Sequence, residues 1–187
     1  MKIDKVRVYG LQDSIKASKY PMSVDVEECT DDITPRTRKL GSCETGTGHD
    51  QFLTGCIVQF DLTFSIKAWV EAERYHFFDF VSSQSTMHRI ANLDPNEQCN
   101  EYVDEEIIKL LERKIAAYKA DPTPENYLYI LYNVPTGFEL TARMTTNFRQ
   151  LKTIYHQRKN HRLPEWREFC KWIDTLPSFK ELVLNEG

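Results

Sequence analysis

The ten residues "IVQFDLTFSI" (57–66) constrain the chain more than any other stretch. Val58, Phe60, Leu62 and Phe64 fall on one face, and Gln59, Asp61, Thr63 and Ser65 fall on the other. Side chains of a strand alternate with a period of two, so this segment predicts a half-buried strand. "GFELTARMTT" repeats the pattern, with Phe138, Leu140, Ala142 and Met144 set against Glu139, Thr141, Arg143 and Thr145. "KVRVYG" places Val6 and Val8 together and ends at Gly10, which reads as a first strand.

Helical spacing follows each of the two longer strands. In "KAWVEAERYHFFDFV", Trp69, Ala72, His76 and Phe80 recur at three- and four-residue intervals, predicting a helix that breaks at the serines after it. After 138–147, Thr146 or Asn147 can cap a helix through "FRQLKTIYHQRK" with an apolar line of Phe148, Leu151 and Tyr155. "DEEIIKLLERKIAAYKA" is the clearest helix, with a stripe of Ile107, Leu110, Leu111, Ile115 and Tyr118 and acids in its first turn. The prolines of "DPTPEN" end it. Pro164 opens a last helix that buries Trp166, Phe169, Cys170 and Ile173. Glu27 to Gly48 reads as a long loop with little regular structure. Strands and helices mix without regular βαβ alternation, so the expected class is α+β, a mixed sheet with long helices in a single domain over 1–187.

Length and composition narrow the function. The 187 residues are 41% hydrophobic, enough for a real core and unlike a disordered chain. A formal net charge of −4 argues against general nucleic-acid binding. The five cysteines show no C-x-x-C spacing, so reduced thiols are expected and no metal site. No apolar run reaches membrane-spanning length, and a soluble, cytoplasmic protein is expected.

Several polar residues stand out. Asn147, Arg149, Lys152, His156, Arg158 and Lys159 crowd into little more than three helical turns, with Arg149, Lys152 and His156 along one side. That side is either a solvated basic face or, with Asn147 at a helix start, a phosphate-binding surface. His49, in "TGTGHDQF", reads as a surface loop histidine, and His76 as a core histidine on an aromatic helix. Ser82, Ser83 and Ser85 look like a polar helix end. No G-x-S-x-G elbow supports a serine nucleophile.

Taken in order, these pieces resemble the flavin-dependent thymidylate synthase family. That family has a histidine before a strand that runs into a helix bearing R-H-R-x-x-S-x-N-x-x-S-x-R-Y. A later strand leads to a helix of the form N-x-R-x-L, with a further arginine nine residues beyond its first. Here His49 precedes "IVQFDLTF", "SSQS" stands where the family often has N-E-Q-S, and "TTNFRQLKTIYHQR" carries Asn147, Arg149, Leu151 and Arg158 at matching spacing. The signature itself departs from the pattern. Its R-H-R becomes Tyr75, His76 and Phe77, its first serine Phe80 and its asparagine Ser82, while its final R-Y becomes Met87 and His88, with Arg89 displaced by one. An arginine that the family uses for the nucleotide phosphate is Leu131.

The resemblance implies a methyltransferase of nucleotide biosynthesis, converting dUMP to dTMP with FAD, NADPH and methylenetetrahydrofolate, in a homotetramer. It places His49, His76, Asn147 and Arg149 on the flavin, Arg158 at the nucleotide base as the catalytic arginine, and Gln84, Ser85, His88 and Arg89 as the remaining substrate contacts. The alternative is a catalytically degenerate protein that holds a nucleotide or a partner on the same fold.

Overall fold

The computed structural model describes residues 1–186. In chain order its elements are β1 (Lys2–Tyr9), α1 (Leu11–Ala17), α2 (Pro35–Gly41), β2 (Ile57–Ser65), α3 (Ile66–Ala72), β3 (Phe78–Ser83) and α4 (Thr86–Arg89). There follow α5 (Pro95–Gln98), α6 (Glu105–Ala120), α7 (Pro124–Leu131), β4 (Glu139–Asn147), α8 (Phe148–Arg158) and α9 (Pro164–Ile173). The class is α+β, as expected.

The strands form one sheet in the order β1-β2-β4-β3. Along β2 and β4 the Thr63 and Thr141 hydroxyls lie 2.8 Å apart. The Ile66 N–H donates to Phe138 O and, at the other end, the Phe148 N–H donates to Cys56 O. Numbers rise on one strand as they fall on the other. Between β4 and β3, Gln84 meets Thr141 and Phe77 meets Thr146, again in opposite directions. The sheet is therefore antiparallel rather than mixed. The one-sided alternation of β2 and β4 is itself the antiparallel signal, because parallel strands are covered on both faces.

The chain divides into two compact units, and all four strands contribute residues to both. The first comprises Met1–Ile3, Asp61–Arg74 and Phe80–Arg143. Ile90, Ala91, Leu111, Ile115, Ile130 and Phe138 form its core. On α6, Leu111 and Ile115 are buried and Tyr118 is half-buried, whereas Ile107 and Leu110, expected in the stripe, are exposed. Each sits one residue, about 100°, off the buried line through 108, 111, 115 and 118. Asp104 caps α6 by accepting from the Glu106 N–H, and Thr123 caps α7, with Pro124 in its first turn.

The helix expected over 66–80 stops early. α3 is capped by Ser65, whose hydroxyl accepts from the Ala68 N–H, and it ends at Ala72. Trp69 is fixed on it by donating Nε1–H to Leu140 O at 3.1 Å and by packing on Phe64 and Phe80. The chain then turns, and 78–83 is the edge strand β3, so Ser82 and Ser83 belong to a strand and not to a helix end. The aromatic and β-branched run Phe77–Val81 suits a pleated edge better than a third helical turn.

The second unit comprises Asp4–Phe60, Tyr75–Asp79 and the chain from Met144 onward. Its core stacks aromatic rings. Phe60 packs on Phe78, Phe169 and Trp172, and Phe148 packs edge-on against Phe179. α9 buries Trp166, Phe169, Cys170 and Ile173 as its spacing predicts. The stretch expected as a loop holds α2, closed by a capping box between Thr34 and Thr37 with Pro35 in the first turn. α2 ends at Gly41, where any Cβ would collide with the Leu182 carbonyl. No helix of the described residues is long and apolar enough to cross a membrane.

Candidate functional site

The best-defined polar cluster lies in the second unit, where the loop after α2 meets the start of α8. β4 ends in extended backbone at Asn147, whose side-chain oxygen accepts from the Gln150 N–H at 2.9 Å. That bond stops the strand and starts the helix, as a cap does. Arg149 then leaves the first turn of α8. Its Nε–H donates to Asp50 Oδ1 at 3.0 Å and its Nη1 to Gln51 Oε1 at 2.9 Å. One turn on, Lys152 donates from Nζ to Asp50 Oδ2 at 2.8 Å, to Gly41 O at 2.9 Å and to Cys43 O. Asp50 has no exposed surface and the Lys152 side chain almost none, while the Arg149 side chain remains 31% exposed.

One carboxylate thus bridges two cations. The expected solvated basic face is only partly so, because Lys152 is a core residue. It sits four residues after Phe148 and one after Leu151, on the apolar side of α8. A buried ammonium is tolerated only where its donors are filled, and here three acceptors meet its three protons. His156, further along, is left with a pKa below the ordinary histidine range, first by desolvation and then by the charges of Lys159 and Lys152.

Arg158, at the other end of α8, is also enclosed. Its Nε–H donates to the Tyr75 hydroxyl at 2.7 Å and its Nη1 lies 2.7 Å from His161 Nε2. The guanidinium stands over the Trp166 ring at 4.9 Å and the Tyr75 ring at 5.6 Å. Tyr75 passes the network on to Gln157 Oε1. His49 lies exposed beside Asp50, and His76 lies exposed in the turn beside Tyr75, not in a core helix. Among the described residues neither histidine side chain has a hydrogen-bond or ion-pair partner.

The structure therefore joins Arg149 to the loop of His49 through Asp50, and Asn147 caps the same helix two residues before Arg149. Gln84, Ser85, His88 and Arg89 belong to the first unit. Gln84 is bound twice to Thr141, accepting from its N–H through Oε1 and donating its own N–H to Thr141 O. Ser85 occupies the cap position of α4 without a side-chain bond, and its carbonyl accepts from the Arg89 N–H. His88 and Arg89 are exposed. Tyr127 holds this turn by donating to the carbonyls of Thr86 and Met87.

Sequence reasoning missed Asp50 and His161, and it singled out Lys152 and Tyr75 without the buried networks that they join. For Lys152 the signal was its place on the apolar line of α8. For Asp50 it was an acid following the glycine loop, next to the histidine singled out.

No protein-family model matches the sequence, and no curated protein matches it significantly. Solved structures do match. One is flavin-dependent thymidylate synthase ThyX from Helicobacter pylori complexed with FAD and dUMP, at 15% identity, TM-score 0.79, covering 99% of this chain and 99% of that one. A second structure of the same enzyme with FAD and dUMP gives 16% identity, TM-score 0.79 and coverage of 99% and 98%. Over its whole length, the chain has the fold of the flavin-dependent thymidylate synthases.

Proposed function

We propose that this chain is a flavoprotein of the thymidylate synthase kind, with residues 1–187 working as one domain that binds FAD and a uracil nucleotide. The whole-length fold match to an enzyme solved with FAD and dUMP carries this reading. The donor set at the start of α8 is compatible with it. Arg149 keeps an exposed guanidinium edge, and the amide nitrogen of Asn147 is free of the capping bond. His49 and His76 are exposed imidazoles. FAD, when bound and reduced by NADPH, would supply the redox chemistry needed to turn dUMP into dTMP with a carbon from methylenetetrahydrofolate. The chain's own part is binding and orientation. Asn147 and Arg149 would serve the flavin and Arg158 the nucleotide base, and Ser85, His88 and Arg89 are further candidate substrate contacts, on a turn that Gln84 sets. Phe80, Val81 and Met87, exposed in the single chain, are compatible with a homotetramer.

The test is direct. Purified protein incubated with FAD should hold a flavin absorption spectrum through gel filtration, and should form dTMP from dUMP, NADPH and methylenetetrahydrofolate. A protein that stays colourless sinks the reading.

One observation favours a second reading, a nucleotide- or partner-binding protein without turnover. Tyr75 and His161 occupy Arg158, and Trp166 stacks on it, so its guanidinium is engaged within the chain. Flavin and dUMP binding without dTMP formation would select this alternative.

A further inference from the structure

We propose that Asp50 is a positioning residue, which holds the Arg149 guanidinium with one edge turned out toward an anionic oxygen of the bound ligand. The inference rests on the flavin reading above and adds to it a residue outside the expected site.

Three observations carry it. Asp50 is fully buried and divides its two oxygens, Oδ1 to Arg149 and Oδ2 to Lys152. Lys152 is saturated by Gly41, Cys43 and Asp50 and cannot reach a ligand. Arg149 spends Nε on Asp50 and Nη1 on Gln51, and its Nη2 has no partner among the described residues. The cluster of two cations and one carboxylate keeps one positive charge in excess. Arg149 is the only one of the three with appreciable exposure, so that charge is presented at its outer edge. A guanidinium is a planar fork, and fixing Nε and Nη1 fixes the direction of the Nη2 protons. Asp50 also adjoins His49, so the same clamp ties the histidine loop to α8. A ligand that meets a prepaid geometry loses less freedom on binding.

Removing the carboxylate alone would strand Lys152 as a buried charge, so two variants are compared in the full chain. The double variant Asp50→Asn with Lys152→Met removes both charges of the buried pair. Asp50→Glu keeps the charge but lengthens the reach by one methylene. The readouts are the melting temperature, FAD affinity by flavin fluorescence, and solvent exchange of the Arg149 Nε–H by NMR. We expect slow Nε–H exchange in the wild type without ligand. We expect fast exchange in the double variant, and at least tenfold weaker FAD binding in whichever variant keeps a cooperative melt, equivalent to about 1.4 kcal/mol. A folded variant with wild-type FAD affinity overturns the proposal. So does wild-type Nε–H exchange as fast as that of an exposed arginine, a result that needs no variant to fold. Wild-type protein that takes up no FAD removes the flavin reading instead, and the exchange rate then decides by itself whether Asp50 holds Arg149.

Discussion

Two segments carry the polar residues that stand out in the sequence, and they are built in opposite ways. Around α8, Arg149, Lys152 and Arg158 are each tied to named partners, and Lys152 and Arg158 are almost wholly buried. At 84–89 the side chains of His88 and Arg89 have no partner among the described residues and lie exposed. The contrast separates two uses of a cation. One region spends charge on holding its own shape and leaves a single edge free. The other holds its shape through neutral bonds, from the Gln84 amide and the Tyr127 hydroxyl to backbone groups and from the Arg89 N–H to Ser85 O, and leaves its charges unspent.

The contrast can be broken most sharply at Asp50. Asp50→Asn alone leaves Lys152 buried beside a neutral amide and removes the counter-charge of Arg149. Taking one partner from a buried pair costs about 3–5 kcal/mol. Denaturant unfolding should show a loss of that order. A loss below about 1 kcal/mol would mean that water reaches Lys152, and the α8 region would then resemble 84–89 after all.

Arg158 comes next. Arg158→Ala removes the donor to Tyr75 and the cation over Trp166, and should cost about 2–3 kcal/mol, since a charge-assisted bond contributes about 1.5–3 and a desolvated cation–π contact up to about 2. Arg158→Lys should recover only part of this, because a point charge cannot reproduce the planar fork. If Arg158→Ala instead unfolds at the wild-type midpoint and abolishes dTMP formation, the enclosure is incidental and the arginine serves the substrate.

Arg149 tests the edge left free. Arg149→Ala should weaken FAD binding about tenfold, which is about 1.4 kcal/mol, while Asn147 continues to cap α8. Circular dichroism should show the helix unchanged. Unchanged FAD affinity in that variant removes Arg149 from the flavin site.

How far the sequence foretold these two regions follows from what periodicity can see. β2, β4 and α9 were legible because a single face of each is buried, and burial writes its period into the residues. α8 was legible as a helix but misjudged in its polarity. By type Lys152 belongs on a solvated or phosphate-binding face, although Phe148 and Leu151 beside it mark the buried side. The stretch 66–80 was misread because Trp69, Ala72, His76 and Phe80 happen to satisfy a helical spacing. Its Phe77–Val81 run pairs as an edge strand instead, and only the partner strand decides that. α2 had its own signals in Thr34 and Pro35, which were outweighed by the glycines and polar residues around them. Asp50 carried only the weak signal of an acid beside His49 after the glycine loop, and no periodicity could name its partners, which lie 99 and 102 residues away.

The smallest expected effect falls at Arg89, and it sharpens the comparison from the other side. Its guanidinium is exposed and without a partner among the described residues. Its backbone N–H is bonded to Ser85 O whatever side chain it carries. Arg89→Ala should therefore shift stability by no more than about 0.5 kcal/mol, as exposed substitutions away from caps and networks do. A cation kept at no structural gain is free to meet an anionic ligand, so the same variant should weaken dUMP binding in calorimetry with FAD present. Stability lost without a change in dUMP binding would place Arg89 with the α8 cations, as a residue that holds the chain. The nucleotide phosphate would then need a different partner from any at 84–89.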